Sequence, residues 1–244
     1  MVNNMEYEQE DVVTSTPPVE EAGEGTFLSE EAEVGDSQED VVTAPSHWGR
    51  KGMVALLIIL AVVAIDQVIK IAVKTGMHLH ESIRVTDWFY LLFTENNGMA
   101  FGWEFIDKFF LTTFRIVFVA LIAVYMYRAI RRGISWGYLV CLSFILAGAA
   151  GNIIDCVFYG LIFNNPPAPL VAEFVPFGTG YSSLFHGRVV DMFYFPLVEW
   201  DWPVWLPRWG GEHFIFFSPI FNFADAAISC GIVALLLFYR KQLK

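Results

Sequence analysis

Apolar residues run along this chain in four long blocks, separated by stretches of mixed or polar pattern. A hydrocarbon layer about 30 Å thick needs about 20 apolar residues of α-helix to cross it. The blocks at roughly 53–73, 110–130, 136–158 and 219–239 meet that length, so the pattern predicts four transmembrane helices with both chain ends on one side. Between the first two blocks the pattern turns β-prone. Ser82-Ile83-Arg84-Val85-Thr86 and Trp88-Phe89-Tyr90-Leu91-Leu92-Phe93 precede the turn former Asn96-Asn97-Gly98, which predicts a small sheet resting on the bilayer. Between the last two blocks, Pro166-Pro167, Pro169, Gly178 and Gly180 punctuate a loop. From Phe193 to Phe217 this loop carries Tyr194, Trp200, Trp202, Trp205 and Trp209, aromatics that favour the headgroup level, so a loop or helix lying on the membrane surface is expected. The fold class read from the pattern is an all-α membrane protein with four transmembrane helices and a small extracytoplasmic β element. There is no internal repeat of about 20 to 50 residues.

Composition agrees with membrane residence and charge adds an orientation. The 244 residues are 55% hydrophobic with a mean hydropathy of +0.49, too apolar for an ordinary soluble domain. The net charge of −11 belongs to one end: 13 of the 26 acidic residues lie in 1–46, where there is no Lys or Arg, leaving 13 acids against all 15 bases in the remainder. That acidic segment, poor in aromatics and carrying Pro17-Pro18, is expected to be a disordered cytoplasmic tail, with 47–244 forming the four-span domain. It lacks the basic region of a secretory signal peptide, so the first apolar block reads as a retained span. Arg50 and Lys51 precede the first block, Arg128, Arg131 and Arg132 fall between the second and third, and Arg240, Lys241 and Lys244 follow the fourth. By the positive-inside rule these clusters mark the cytoplasmic face, which leaves about 75–109 and about 159–218 outside. Cys141, Cys156 and Cys230 all lie in apolar stretches, where a thiol behaves as a small hydrophobe and a disulfide framework is not expected.

Ionisable groups inside spans are costly and are functional candidates. Asp66 lies 15 residues after Lys51 and Asp225 lies 15 residues before Arg240. At about 1.5 Å per residue both sit roughly 22 Å from the cytoplasmic face. Asp155 comes near the end of the third block, and Asp191 follows in the external loop, so four carboxylates can converge near the outer boundary. Asn152 precedes Asp155 by three positions and Asn222 precedes Asp225 likewise, while Asp66 and Lys70 are four apart; each pair shares a helix face. Two carboxylates held close do not both ionise readily, so one keeps a proton near neutral pH, as hydrolysis by general acid and base requires. A single membrane Asp can equally serve as a structural hydrogen-bonding partner. An ion carrier would spread its carboxylates through the bilayer depth and tend to show repeats, and neither pattern is found. A zinc hydrolase would need more than His186, which has no second His near it in sequence.

At these residues the chain resembles the bacterial lipoprotein signal peptidases. Asp66-Gln67-Val68-Ile69-Lys70 is similar to their DQxxK motif, and Asn96-Asn97-Gly98-Met99-Ala100-Phe101-Gly102 to their NxGxAF block. Gly151-Asn152-Ile153-Ile154-Asp155 resembles GNxxD, while Gly187-Arg188-Val189-Val190-Asp191 and Phe221-Asn222-Phe223-Ala224-Asp225 resemble the two blocks bearing the catalytic aspartates. The likeness covers about 50–244. It implies an aspartyl endopeptidase of the inner membrane with Asp191 and Asp225 as its dyad, and supporting or substrate-binding roles for Asp66, Lys70, Asn96, Gly98, Asn152, Asp155, Arg188 and Asn222. The implied substrate is a prolipoprotein cut just before its diacylglyceryl-modified Cys, among membrane phospholipid, with globomycin-type inhibitors blocking the site. A monomer is expected, with no metal, organic cofactor or nucleic acid. Two departures stand out. Cys156 occupies the place where the family usually has Arg, so a salt bridge or substrate contact is missing or is supplied by another base such as Arg188. The loop from Phe158 to His186 is longer than the family minimum.

Overall fold

The computed structural model describes residues 47–97, 108–216 and 218–242; the acidic segment 1–46, and Gly98 with the rest of its sequence block, lie outside the described residues. The first apolar block forms α1 (His47–Gly76), the second α2 (Lys108–Arg131) and the third α3 (Trp136–Ile154). The third continues without a break through a π-helical turn, Asp155–Tyr159, into the short α4 (Gly160–Ile162). Helical stretches Trp48–Gly76, Lys108–Arg131 and Trp136–Ile162 are long and apolar enough to cross a membrane. The fourth block is shorter than expected. Its helix, α5 (Phe223–Phe238), has 16 residues, about 24 Å at 1.5 Å per residue. The helix starts late because Asn222 closes a capping box with Asp225, and the residues before it are drawn into a sheet.

α3 is the central helix. In its most apolar window 56% of the residues are buried inside the protein, against 17% for α1 and 11% for α2, whose apolar side chains face outward. Small residues let its neighbours close in. A Cβ at Gly148 would lie 2.3 Å from the Ala224 carbonyl oxygen of α5, and one at Gly151 would lie 2.7 Å from Asp66 Oδ2 of α1. Below them Tyr138, Leu139, Leu142 and Leu146 pack with Ala55, Met126 and Leu235. At that end Lys51 donates to the Ile134 carbonyl, and Ser135 Oγ donates to Gln242 Oε1 at 3.2 Å. The start of α1, the α2–α3 turn and the end of α5 therefore meet, which gathers the described basic residues of the three clusters at one end of the bundle.

The opposite end is more β-rich than the sequence led us to expect. β1 (Ser82–Thr86) and β2 (Phe89–Asn96) fall on the two β-prone runs. Two further strands join them, β3 (Val189–Tyr194) and β6 (Ile220–Phe221), in an antiparallel sheet of order β1-β2-β3-β6. Asp191 is thus a strand residue and not a loop residue. The aromatic-rich segment likewise contains a hairpin, β4 (Val198–Asp201) paired with β5 (His213–Phe216), and no helix occurs among the described residues of 163–218. Trp200 and Phe214 face each other across it with ring centroids 4.5 Å apart. The inner face of the larger sheet, with Phe93, Val190 and Met192, packs on Val73 and Met77 of α1 and on Tyr159 and Phe163.

Candidate active site

Where the sheet meets the helices, five elements deliver polar side chains to one place. The third helix arrives with its backbone widened. In the π turn the Cys156 carbonyl is turned outward and accepts a hydrogen bond from Gly187 N at 2.8 Å. Gly187 is required there, since a Cβ would lie 2.1 Å from the Asp155 carbonyl oxygen. This contact seats the start of β3 directly against Asp155.

Four carboxylates gather, but in two different settings. Lys70, fully buried, holds Asp66 at 2.9 Å and Asp155 at 2.7 Å. Gln67 Nε2 donates to Asp155 Oδ1 at 2.9 Å and its carbonyl accepts from Tyr159 at 3.1 Å, while Ala224 N donates to Asp66 Oδ1 at 2.9 Å. One ammonium between two carboxylates, with amide and hydroxyl groups on the remaining valences, satisfies a buried charge cluster. This assembly ties α1, α3 and α5 together.

The other two carboxylates both accept from Asn222, that of Asp225 from its backbone N at 3.4 Å. Asn222 Nδ2 donates to Asp191 Oδ1 at 2.7 Å, and its Oδ1 accepts from Asp225 N at 2.9 Å. Asn152 joins the two settings, accepting from Lys70 at 2.7 Å and donating to Asp225 Oδ1 at 2.8 Å. Asn96, at the end of β2, gives Asp191 a further side-chain hydrogen bond. Burial is the chief reason why the Asp191 carboxyl holds its proton up to about 7; the negative charge of Asp225 adds to it, while Asn222, Asn96 and Lys70 act the other way. Asp225 is half-exposed, in the first turn of α5, and with Asn152 and Arg115 it forms the polar end of a cavity of about 300 Å³ whose remaining wall is apolar, including Phe118, Ile122 and Ile145. The arrangement offers an acid, a second carboxylate and an apolar trough running from the second between α2, α3 and α5.

Among the candidate residues, Asp66, Lys70, Asn96, Asn152, Asp155, Asp191, Asn222 and Asp225 come together in this network. Gly98 lies outside the described residues. Arg188 is elsewhere: its Nη1 donates to Glu95 Oε2 at 2.8 Å, and the base beside Cys156 is instead Arg115, whose Nη1 reaches Sγ at 3.4 Å. Sequence reasoning passed over Arg115, although a guanidinium inside an apolar block is the signal that singled out the aspartates. Gln67 and Tyr159 carry no charge and gave no such signal. Among the described residues no group of three or more His, Cys, Asp or Glu is placed to hold a metal ion.

Residues 58–240 match the family described as signal peptidase (SPase) II. The chain is 50% identical over 192 residues to a lipoprotein signal peptidase of Porphyromonas gingivalis, covering 78% of this chain and 84% of the relative. With the lipoprotein signal peptidase of Amoebophilus asiaticus it shares 36% over 200 residues, 77% of this chain and 78% of that one. A bacterial membrane enzyme solved by the in meso method at 1.9 Å resolution has a similar fold, with a TM-score of 0.52 and 23% identity over 78% of this chain and 94% of the solved one. A second such structure, at 2.3 Å resolution, gives a TM-score of 0.51 at 22% identity over 79% and 90%.

Proposed function

The chain belongs to the signal peptidase II family, and from that membership we propose that it is an aspartyl endopeptidase of the bacterial inner membrane that releases diacylglyceryl-modified lipoproteins from their signal peptides. In this reading it crosses the bilayer four times, α5 being the fourth crossing. The basic end faces the cytoplasm with both termini, and the sheet lies at the outer boundary. The substrate is a prolipoprotein cut just before its lipidated Cys, and globomycin-type inhibitors compete for the same trough.

The observation that carries the proposal is the pair Asp191 and Asp225, both bound to Asn222, with Asp225 at the head of an apolar trough. Asp225 takes a proton from a water as that water attacks the scissile carbonyl carbon, and Asp191 gives its proton to the carbonyl oxygen. The resulting gem-diol collapses: one hydroxyl returns its proton to Asp191, the C–N bond breaks, and the amine leaves with the proton held by Asp225. Both carboxyl groups are then as they began. Asn222 and Asn152 hold the two groups in register throughout, with no cofactor involved in any step.

The test is cleavage of a synthetic diacylglyceryl prolipopeptide by purified protein. Asp191→Asn and Asp225→Asn should each lower turnover by about a hundredfold to ten-thousandfold while the protein still inserts and purifies as the wild type does. Full turnover in either variant would remove the dyad.

A further inference from the structure

Beside the dyad, and used by none of its steps, three charged side chains meet under the long loop. Glu95, the residue before Asn96, is 4% exposed at its side chain and is bound at both oxygens: Lys74, in the last turn of α1 and 1% exposed, donates to Oε1, and Arg188 donates to Oε2 at 2.8 Å. Burial would push the Glu95 carboxyl up, but Lys74 and Arg188 outweigh it and hold it below the usual range, so it stays charged. The loop roofs this cluster. The Tyr181 ring lies 5.2 Å from Lys74 Nζ and 5.1 Å from the Arg188 guanidinium, its hydroxyl accepts from Arg188 N at 2.7 Å, and Phe163 lies 5.3 Å from Lys74. Between Lys74, Glu95 and loop residues Asn165, Pro166 and Leu170 there remains a cavity of about 10 Å³, room for about one water. Lys74 and Glu95 are thus nearly dry, with Arg188 half-exposed at the corner, and the geometry is correspondingly stiff.

What it holds stiff is the β2–β3 register. Glu95 pairs with Val190, Asn96 with Val189 and Thr94 with Asp191, but the ladder is interrupted between Leu91 and Thr94. Across such an irregularity the pairing on one side does not carry through to the other, and a slip of one residue would turn every side chain to the other face. Arg188 and Glu95 flank the paired residues on the two strands, so their ion pair, anchored to α1 by Lys74, pins the short ladder on the site's side of the interruption.

We infer that Lys74, Glu95 and Arg188 form an ionic clamp, its Lys74–Glu95 half buried under the 163–181 loop, that positions Asn96 against Asp191 for the reaction. These are positioning residues, and their part in turnover rests on the function proposed above. The longer loop then acts as a cover that keeps water from the clamp.

The test is a charge-balanced double variant, Lys74→Met with Glu95→Gln, in the full chain in detergent. The first readout is the titration of the ¹³C-labelled Asp191 carboxyl, assigned by its loss in Asp191→Asn. The groups that face it are Asp225 and Asn222 from α5 and its cap, Asn96 from β2 and Lys70 from α1. Loosening Asn96 removes a hydrogen bond that favours the charged carboxylate, so the midpoint moves upward; an unpaired Arg188 alone could only move it downward. Turnover of the lipopeptide should fall by about tenfold to a hundredfold with KM little changed, as expected for a misplaced reacting group. An unchanged midpoint with unchanged turnover, a downward shift, or a loss of thermal stability alone would each overturn the clamp. Should the double variant fail to insert, Arg188→Lys decides, because it keeps the charge at the half-exposed corner and loses the guanidinium geometry: the same upward shift supports the clamp, and wild-type titration and turnover overturn it. If the wild type cleaves nothing, the functional reading fails while the titration still tests the clamp.

Discussion

Asp191 is 2% exposed and holds its proton up to about 7 in place of the ordinary 3.8, through burial first and the Asp225 charge second. The folded chain therefore binds this proton more tightly than the unfolded chain does. The stabilisation this gives is fully present below about pH 4 and is lost as pH rises through about 7. Asp191→Asn abolishes that dependence, so the variant should be more stable than the wild type at pH 8 by on the order of a few kcal/mol, with the gap closing by pH 4. Thermal unfolding in detergent at several pH values measures this; parallel curves would show that burial of Asp191 is not the source of the slope. In the proposed reaction the same group sets the alkaline side of the rate profile. If Asp191 is the proton donor, kcat/KM falls as pH rises past about 7, an apparent value that belongs to the pair. Asp66, Asp155, Asp191 and Asp225 were legible as candidates because a carboxylate in or beside an apolar run stands out. The resemblance paired Asp191 with Asp225, but that Lys70 binds Asp155 as well as Asp66 was not legible, since it depends on which helix faces touch. The partner of Arg188 was hidden for the same reason: Glu95 is 93 residues away in sequence.

Among the elements, the three long helices could be read directly from the length of their apolar runs. The two strands completing the sheet could not. β3, with Val189, Val190, Met192 and Phe193 interrupted by Asp191, has no alternation because both of its faces are partly covered, and β6 merges into the apolar run of α5. Only the asparagine cap marks where strand gives way to helix. Gly148 shows how tightly the helices that carry the site are fitted. A Cβ there would lie 2.3 Å from the Ala224 carbonyl and 2.7 Å from an Ile228 side-chain carbon, and the first of these is backbone that cannot turn aside. Gly148→Ala should thus push α5 outward, costing about 1 to 3 kcal/mol of stability and disturbing the Asn152–Asp225 hydrogen bond. Loss of turnover exceeding the loss of folded protein is the expected result; wild-type kinetics would mean that the α3–α5 contact does not fix the dyad. α2 reaches the site through few contacts, Thr112 to the Phe185 carbonyl at 3.0 Å and Arg115 to Cys156 Sγ at 3.4 Å. Arg115 is the cation that lines the trough beside Asp225. Arg115→Met keeps the stem and removes the charge, and we expect cleavage to fall by about tenfold with insertion unchanged, a loss typical of one desolvated charge contact. Undiminished cleavage would leave Arg115 with a packing role alone.

For the whole molecule, the described residues of the three basic clusters gather at one end of the bundle and the sheet caps the other. The trough starts at the sheet end: its polar head is at Asp225, in the first turn of α5, and its apolar wall runs past Ile228 to Ile232, toward the basic end. A bound chain can therefore keep hydrocarbon against the apolar wall while its peptide bond reaches the carboxyl pair. The reading of a lipid-tethered substrate makes a quantitative demand on this geometry. Transfer of acyl chain into an apolar setting is worth about 0.8 kcal/mol per CH₂, so a diacylated peptide is confined to the membrane and presented at a fixed depth, whereas its unmodified counterpart exchanges with water and samples many depths. Cleavage of the same peptide with an unmodified Cys, in the same vesicles, should be slower by about a hundredfold or more at equal total concentration, through loss of placement. Lengthening the acyl chains beyond what the bilayer needs to retain the peptide should bring no further gain, because confinement is then already complete. Equal rates for the lipidated and unmodified peptides would mean that the trough reads the peptide alone, and the apolar wall would need another occupant.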